Sequence, residues 1–190
     1  MKRIGILGGI GSGKSYVAQI FGYPVFNADK EVSHLYKKDK KTFYKLKKSL
    51  PKYFNKFPIN KDNVTRAILD NEQNFKKIIR IIHLEIRKRM NKFLKKNKIK
   101  KFVVLDIPLL LENKINRKSD ILVFVDSKKN DVLKRIKKRR NFNFKILKKF
   151  QNIQLSLDYK KKKSRFIIKN DFTKKTVTKY VKHILTQIKK

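Results

Sequence analysis

Cysteine is absent from the 190 residues of the chain, which excludes disulfide frameworks, cysteine-ligated zinc sites and cysteine nucleophiles together. Long apolar runs are also missing. The best candidate, residues 102–111, is interrupted by Asp106 and Pro108 before it reaches the roughly 18 residues that a membrane helix needs. The apolar stretch 4–10 leads directly into a glycine-rich segment without a cleavage-type sequence, so we expect no signal peptide. These absences predict a cytoplasmic protein without a membrane partner.

Acidic residues are scarce as well. The chain has 14 Asp and Glu against 53 Lys and Arg, which gives a net charge of +39 at pH 7. Only ten of those 53 basic residues are arginine, the side chain preferred for bidentate recognition of phosphate and guanine. The lysines are spread along the whole chain, and we interpret them mainly as biased residue usage. Polyanions are then attracted nonspecifically and in a salt-dependent way, but we predict no specific nucleic-acid partner.

Short runs of β-branched and apolar residues, separated by helical patterns, predict an α/β fold with a parallel sheet of about five strands. The predicted strands are residues 2–7, 24–26, 102–105, 121–125 and 166–168. The predicted helices are residues 15–21, 29–50, 71–96, 130–140, 143–163 and 173–188. With 40% hydrophobic residues, a chain of this length can bury one core, with helices on both faces of the sheet.

A phosphate-binding loop follows the first predicted strand. Residues 8–15, GGIGSGKS, match the pattern G-x-x-x-x-G-K-[ST] between a strand and a helix. The glycines let successive backbone N–H groups surround a phosphate beside the positive end of the helix. Lys14 would reach the β- and γ-phosphates and Ser15 would ligate Mg²⁺, so we predict ATP and Mg²⁺ as cofactors. The predicted nucleotide-binding residues here are Gly8, Gly9, Ile10, Gly11, Ser12, Gly13, Lys14, Ser15 and Tyr16.

The strand-loop-helix context favours this P-loop over a glycine-rich turn that matches by chance. The guanine-reading N-K-x-D sequence of GTPases is absent, since residues 97–100 come nearest to it and lack the Asp. No L-S-G-G-Q sequence of transporter ATPases is present either. A short chain with helical insertions therefore favours a small-molecule kinase.

Two segments exceed a minimal alternation of strands and helices. Residues 30–97 separate the second and third strands, and residues 139–165 precede the last strand. Insertions at such places usually carry substrate-binding and lid functions. We predict a single P-loop kinase domain over 1–190, with a helical acceptor-binding insertion at 30–97 and a lid at 139–165. Its core is predicted at residues 1–29, 98–138 and 166–190.

Short motifs along nearly the whole chain resemble the dephospho-CoA kinase family. The P-loop is similar to that family's own version, GGIGSGKS, and residues 27–29 are similar to its Asp-Ala-Asp motif. Residues 106–112, DIPLLLE, resemble its P-L-L-x-E segment. Other matches are single residues at the expected places: His83, Gln154, Lys160 and Asn170.

The chain also departs from the family pattern at several places. Asn27 replaces the first Asp of Asp-Ala-Asp, Leu84 replaces a Pro, and Tyr16 stands where Thr is usual. Ser164 and Arg165 replace an Ala-Asp pair, and the segment from the P-loop to Asp29 is several residues short. None of these changes removes a group that the chemistry needs, provided that Asp29 is the essential carboxylate.

The resemblance implies ATP-dependent phosphorylation of the ribose 3′-hydroxyl of dephospho-CoA, which gives CoA and ADP in the last step of coenzyme A biosynthesis. Asp29 would bind the acceptor and orient or deprotonate its hydroxyl, or it serves only as a helix N-cap. Lys14 and Arg139 would neutralise charge on the transferring phosphoryl group, with Arg140 as a nucleotide contact. A solvated basic helix end is the alternative for the two arginines. Asp106 would hold Mg²⁺ together with Ser15, or it is a polar strand end.

The remaining candidates lie on the acceptor and adenine sides. His83 is a substrate-side candidate, although a packed histidine explains its apolar neighbours as well. Pro108, Leu109 and Glu112 are substrate-binding candidates through the resemblance. Asn170 would line the adenine pocket, or it is an ordinary turn residue.

Two other functions remain open at this point. Another P-loop small-molecule kinase, for a nucleoside or nucleotide, would have the same architecture and differ in its acceptor. A basic, nucleic-acid-associated P-loop ATPase would show hydrolysis that DNA or RNA stimulates and salt suppresses. We expect a monomer or a weak homo-oligomer.

Overall fold

The computed structural model of the chain describes residues 1–138 and 142–189. Its strands are β1 (Lys2–Gly8), β2 (Val25–Asn27), β3 (Phe102–Asp106), β4 (Ile121–Asp126) and β5 (Phe166–Lys169). Its helices are α1 (Lys14–Ile20), α2 (Ala28–Lys38), α3 (Lys40–Ser49), α4 (Lys61–Asp70), α5 (Glu72–Lys96), α6 (Lys129–Lys137), α7 (Phe144–Asn152), α8 (Leu157–Lys163) and α9 (Lys174–Lys189). Within these described ranges, none of the helices has the length and apolar character that crossing a bilayer requires.

The five strands form one sheet in the order β2-β3-β1-β4-β5, and every neighbouring pair is parallel. This confirms the predicted α/β fold. In a parallel sheet all strands end at the same edge, so the residues that follow them come together there. Asn27 at the end of β2 pairs in register with Asp106 at the end of β3, and Gly8 at the end of β1 pairs with Val125 of β4.

The chain divides into two compact units. The first comprises Met1–Asn27, Asn97–Asn143 and Lys149–Lys190, and it contains the sheet. The second comprises Ala28–Lys96 and Phe144–Lys148. In the first unit, alternate residues of β1, Ile4 and Ile6, pack in one buried cluster with Val17 of α1 and Ile184 of α9. Packing in this cluster fixes α1 and α9 against β1, the strand that precedes the P-loop.

The core of the second unit follows the long helix α5. Its buried apolar side chains recur every three or four residues, which is the spacing of one helix face. They are Phe75, Ile78, Ile82, Ile86, Met90 and Leu94. The helix covers the predicted range 71–96 almost completely.

The predicted helix 29–50 is wrong as a single helix, because it is interrupted at Asp39. That residue is extended (φ −102°, ψ 93°), and its carboxylate accepts a 2.8 Å hydrogen bond from the Thr42 N–H at the start of α3. Arg89 of α5 donates to Asp39 at 3.1 Å and to Glu31 of α2 at 3.0 Å. Burial opposes ionisation of Asp39, but these donors outweigh it and hold the pKa below its usual 3.8.

Two other helix predictions need correction. The predicted helix 143–163 is two helices, α7 and α8, and Ser156 begins the second by accepting a 3.2 Å hydrogen bond from the Tyr159 N–H. Helix α4 lies outside the predicted helices. Its start is fixed by Asn60, whose side-chain oxygen accepts from the Asp62 N–H at 2.8 Å. At Asp39, Ser156 and Asn60 alike, a short polar side chain accepts a hydrogen bond from a backbone N–H and so fixes the start of the following helix.

Candidate active site

The loop between β1 and α1 has a backbone that requires glycine at two places. Gly11 and Gly13 adopt φ values of +83° and +91°, in the left-handed region. A Cβ added to Gly11 would lie 2.6 Å from Ile136 of α6, and one added to Gly13 would lie 2.4 Å from the Asn170 side-chain nitrogen. The loop is therefore tightly enclosed by α6 and by the segment after β5.

Lys14 is the first residue of α1, and its side chain turns back onto the loop. Its Nζ donates to the carbonyl oxygens of Gly8 at 3.1 Å and Gly9 at 2.7 Å, and the residue is only 9% exposed. The ammonium group is thus held against the start of a loop whose shape suits a phosphate. Contact of Lys14 with the β- and γ-phosphates stays a prediction.

The Ser12 carbonyl group anchors the middle of the loop to two other segments. It accepts a 2.9 Å hydrogen bond from the Ser127 hydroxyl and a 2.8 Å hydrogen bond from the Asn170 side-chain amide. Asn170 is 4% exposed, and its side-chain oxygen accepts from the Phe172 N–H at 2.9 Å. Asn170 was predicted to line the adenine pocket. The contacts that the structure gives its side chain are with the P-loop and the following turn.

A cation–π pair, formed by Arg135 and Phe172, lies beside the same loop. The Arg135 guanidinium lies 4.4 Å from the centre of the Phe172 ring, and that ring approaches the position of a Cβ on Gly13 to 3.4 Å. Sequence reasoning missed Ser127, Arg135 and Phe172. Their only sequence signal is that Ser127 follows the end of β4 and Phe172 follows the end of β5, at the edge where the P-loop lies.

Three polar side chains meet at the neighbouring strand ends. The Asn27 amide donates to the Ser15 hydroxyl at 3.3 Å and also to the Asp106 carboxylate. Asp106 is 3% exposed, whereas Ser15 is exposed at the start of α1. The structure therefore brings the two predicted Mg²⁺ ligands together, with Asn27 joining them. In the sequence, Asn27 stands out only as a replacement for the first Asp of an Asp-Ala-Asp motif.

The chemistry of this donor set fits Mg²⁺. A hydroxyl and a carboxylate are hard oxygen ligands, and Mg²⁺ usually takes few protein ligands, keeping water and phosphate oxygens for the rest. Among residues 1–138 and 142–189, no cluster of three or more His, Cys, Asp or Glu could hold a metal ion alone. A hydroxyl and one carboxylate leave the other coordination positions of such a cation to water and phosphate oxygens.

Other predicted residues lie in the second unit. Asp29 is exposed in the first turn of α2. His83 is half-buried on α5, and burial together with the Arg87 charge lowers its pKa below the ordinary value of 6.5. Its imidazole is therefore neutral at pH 7. Arg139 and Arg140 lie outside the described residues.

The segment after β3 contains the predicted acceptor contacts. Leu109 is 8% exposed and Pro108 is half-buried. One carboxylate oxygen of Glu112 lies 2.7 Å from the Lys160 ammonium and accepts from the Leu155 N–H at 3.0 Å. Lys160 itself is 1% exposed. Glu112 thus connects this segment to α8, and substrate binding by the same carboxylate stays a prediction.

Comparisons with known proteins agree along nearly the full length. A family model described as dephospho-CoA kinase matches residues 2–176. The dephospho-CoA kinase of Wolbachia pipientis wMel is 34% identical over an alignment 190 residues long, which covers 97% of this chain and 97% of that one. Among solved structures, TT1252 from Thermus thermophilus aligns with a TM-score of 0.79 at 22% identity, covering 98% of this chain and 97% of that one. Dephospho-CoA kinase from Campylobacter jejuni aligns with a TM-score of 0.66 at 21% identity and the same coverage. At these identities the structural likeness supports the fold.

Proposed function

The chain belongs to the dephospho-CoA kinase family, and from this premise we propose that it transfers the γ-phosphoryl group of ATP to the ribose 3′-hydroxyl of dephospho-CoA. The products are CoA and ADP, and the reaction is the last step of coenzyme A biosynthesis. The observation that carries the proposal is that the P-loop and a cluster of three polar side chains lie next to each other at one edge of the sheet. The enclosed P-loop lies next to the Ser15, Asn27 and Asp106 cluster, as a kinase of this type requires.

Phosphoryl transfer needs mainly positioning and neutralisation of charge. In our proposal the P-loop N–H groups and Lys14 hold the β- and γ-phosphates. Ser15 and Asp106 hold Mg²⁺, which supplies further neutralisation of phosphate charge when it is bound. The Arg135 and Phe172 pair offers a flat face beside the loop, and this face suits the adenine ring.

Several residues predicted from the sequence are assigned to the acceptor. We assign Asp29 to accept the proton of the ribose 3′-hydroxyl as the oxygen bonds to the γ-phosphorus, while the bond to the β-phosphate oxygen breaks. The Asp29 side chain is exposed, so a hydroxyl can reach it from solvent. His83, Pro108, Leu109 and Glu112 are proposed contacts of the acceptor, and Arg139 and Arg140 are proposed contacts of the phosphates.

An ADP-release assay with ATP, Mg²⁺ and dephospho-CoA tests the proposal. We expect Asp29→Asn and Lys14→Ala to lower acceptor-dependent turnover by roughly 10²–10⁴-fold, the usual contribution of such groups. Lys37→Ala, an exposed lysine near the end of α2, is the matched control and should keep the parental rate. Turnover with adenosine or a nucleotide in place of dephospho-CoA, or ADP release that needs RNA or single-stranded DNA, would contradict the proposed acceptor.

The compartment, the partners and the oligomeric state of the protein stay predictions. The lack of cysteine favours a reducing compartment such as the cytoplasm. The lysine-rich composition does not by itself define a nucleic-acid partner, and we continue to expect a monomer or a weak homo-oligomer.

A further inference from the structure

Asn27 occupies a place that links both predicted Mg²⁺ ligands. It ends β2, pairs in register with Asp106, and precedes Ala28, the first residue of α2. Its side-chain nitrogen donates to the Ser15 hydroxyl at 3.3 Å and to the Asp106 carboxylate. One amide group therefore contacts a residue of α1 and a residue of β3 at the point where a nucleotide-bound cation would enter.

An amide differs from a carboxylate at this position in two ways. It carries two N–H donors and no charge, so it can hold a hydroxyl and a carboxylate at once. An aspartate there would offer only acceptors and would place a second negative charge beside Asp106, which is 3% exposed. Two such carboxylates cannot both remain ionised at low cost unless a cation lies between them.

We propose that Asn27 is a positioning residue that aligns the Ser15 hydroxyl and the Asp106 carboxylate for Mg²⁺ before the nucleotide binds. This inference rests on the proposed function, because it concerns the same site. Asn27 supplies no ligand in this scheme. It keeps the Asp106 charge hydrogen-bonded inside the protein and fixes the direction of the serine hydroxyl, as outer-shell partners do around metal sites.

Calorimetric titration with ADP, with and without Mg²⁺, separates positioning from a general structural role. The quantity measured is the ADP dissociation constant without Mg²⁺ divided by the constant with Mg²⁺. We call this ratio the Mg²⁺-dependent gain. Asn27→Leu has a similar volume and no hydrogen bond, and we expect it to reduce the Mg²⁺-dependent gain about 10–100-fold. ADP affinity in EDTA should stay within about twofold of the parent, because the P-loop and Lys14 still hold the phosphates. Equal losses with and without Mg²⁺, or an unchanged gain, would overturn the inference.

A double-mutant cycle tests whether Asn27 acts through Ser15. Ser15→Ala should remove the Mg²⁺-dependent gain by itself, and adding Asn27→Leu to it should then cost less than it does in the parent. If the two substitutions reduce the Mg²⁺-dependent gain additively, Asn27 acts independently of Ser15. That result would overturn the inference that Asn27 aligns the serine hydroxyl. The titration needs no turnover, so failure of this inference is distinguishable from failure to find dephospho-CoA kinase activity.

Asn27→Asp provides a second variant if the leucine variant does not fold. When ionised, its carboxylate has no donor for Ser15 or Asp106 and adds a second negative charge beside Asp106. We expect a lower midpoint of thermal unfolding than in the parent at pH 8 without Mg²⁺. Mg²⁺ with ADP should narrow this difference, because a cation between the two carboxylates offsets their repulsion. A variant as stable as the parent without Mg²⁺ would mean that the residue at 27 does not face Asp106.

Discussion

Replacing Asn170 by Asp keeps the size of the side chain but removes one hydrogen-bond donor and, in the ionised form, adds a negative charge at a buried position. The Asn170 side chain donates to the Ser12 carbonyl at 2.8 Å and accepts from the Phe172 N–H at 2.9 Å. Aspartate has nearly the same size and keeps the acceptor, but its ionised form has no donor for Ser12. The variant therefore tests the contact that encloses the P-loop, across 158 positions of sequence.

The expected cost follows from the burial of this contact. The lost hydrogen bond contributes about 1 kcal/mol, and a buried acceptor facing another acceptor adds roughly 1–3 kcal/mol. Ser127 still donates to the Ser12 carbonyl at 2.9 Å, which favours the lower part of the range. We expect a loss of about 2–3 kcal/mol, and a chain of this size then unfolds roughly 4–12 °C lower. The loss should shrink at low pH, because a protonated aspartate regains a donor and its folded pKa is raised.

Urea and thermal unfolding of Asn170→Asp at pH 5 and pH 8 measure this effect. Asn71→Asp is the matched control, because the Asn71 side-chain oxygen accepts from the Asn74 N–H at 2.8 Å and an aspartate can do the same. It should unfold within about 0.5 kcal/mol of the parent. If Asn170→Asp also stays within that margin at pH 8, the amide does not brace the P-loop and the reasoning fails.

Two further variants test other parts of the structure. Gly11→Ala should weaken ADP binding at least about tenfold in a titration, because φ is +83° and the new Cβ would approach Ile136 to 2.6 Å. Asp39→Ala should lower the free energy of urea unfolding by about 1–2 kcal/mol, through loss of the α3 cap and the Arg89 pair. The deficit should be constant above pH 3.8 and vanish as the pH falls through the depressed pKa of Asp39, whereas a deficit that persists there would contradict the ionic cap.

The sheet was predictable because its strands are continuous apolar runs. Each predicted strand lies in the sheet with its bounds shifted by no more than two residues at either end, and β2 extends to Asn27. Such runs suit strands covered on both faces, as β3 and β4 are, whereas β5 at the edge of the sheet leaves Ile167 39% exposed. The P-loop was predictable because the pattern G-x-x-x-x-G-K-[ST] between a strand and a helix is typical of phosphate-binding loops and of few other structures.

The helix breaks were harder to predict because lysine continues almost any helical pattern. Asp39 lies between lysines at 37, 38, 40 and 41, so the amphipathic spacing passes through it without interruption. Only the capping contact with Thr42 marks the break, and an Asp three residues before a Thr is a weak sequence signal. The contact between Asn170 and Ser12 has no local signal at all, because it exists only once the sheet has formed.

The scarcity of acidic residues makes each of them more informative than the lysines. A lysine can extend its charge into water from almost any exposed position, so 43 of them describe composition more than structure. The acids have defined places: Asp120 pairs with the 4% exposed Arg3 at 2.7 Å, Asp39 caps a helix, and Asp106 is buried at a strand end. Asp29 lies in the first turn of α2, where it is exposed, and Asp62, Asp131 and Asp158 lie in the first turns of α4, α6 and α8. Position alone therefore does not separate Asp29 from those three first-turn acids, and its proposed catalytic role rests on its place in residues 27–29, which resemble the Asp-Ala-Asp motif of the family to which the chain belongs.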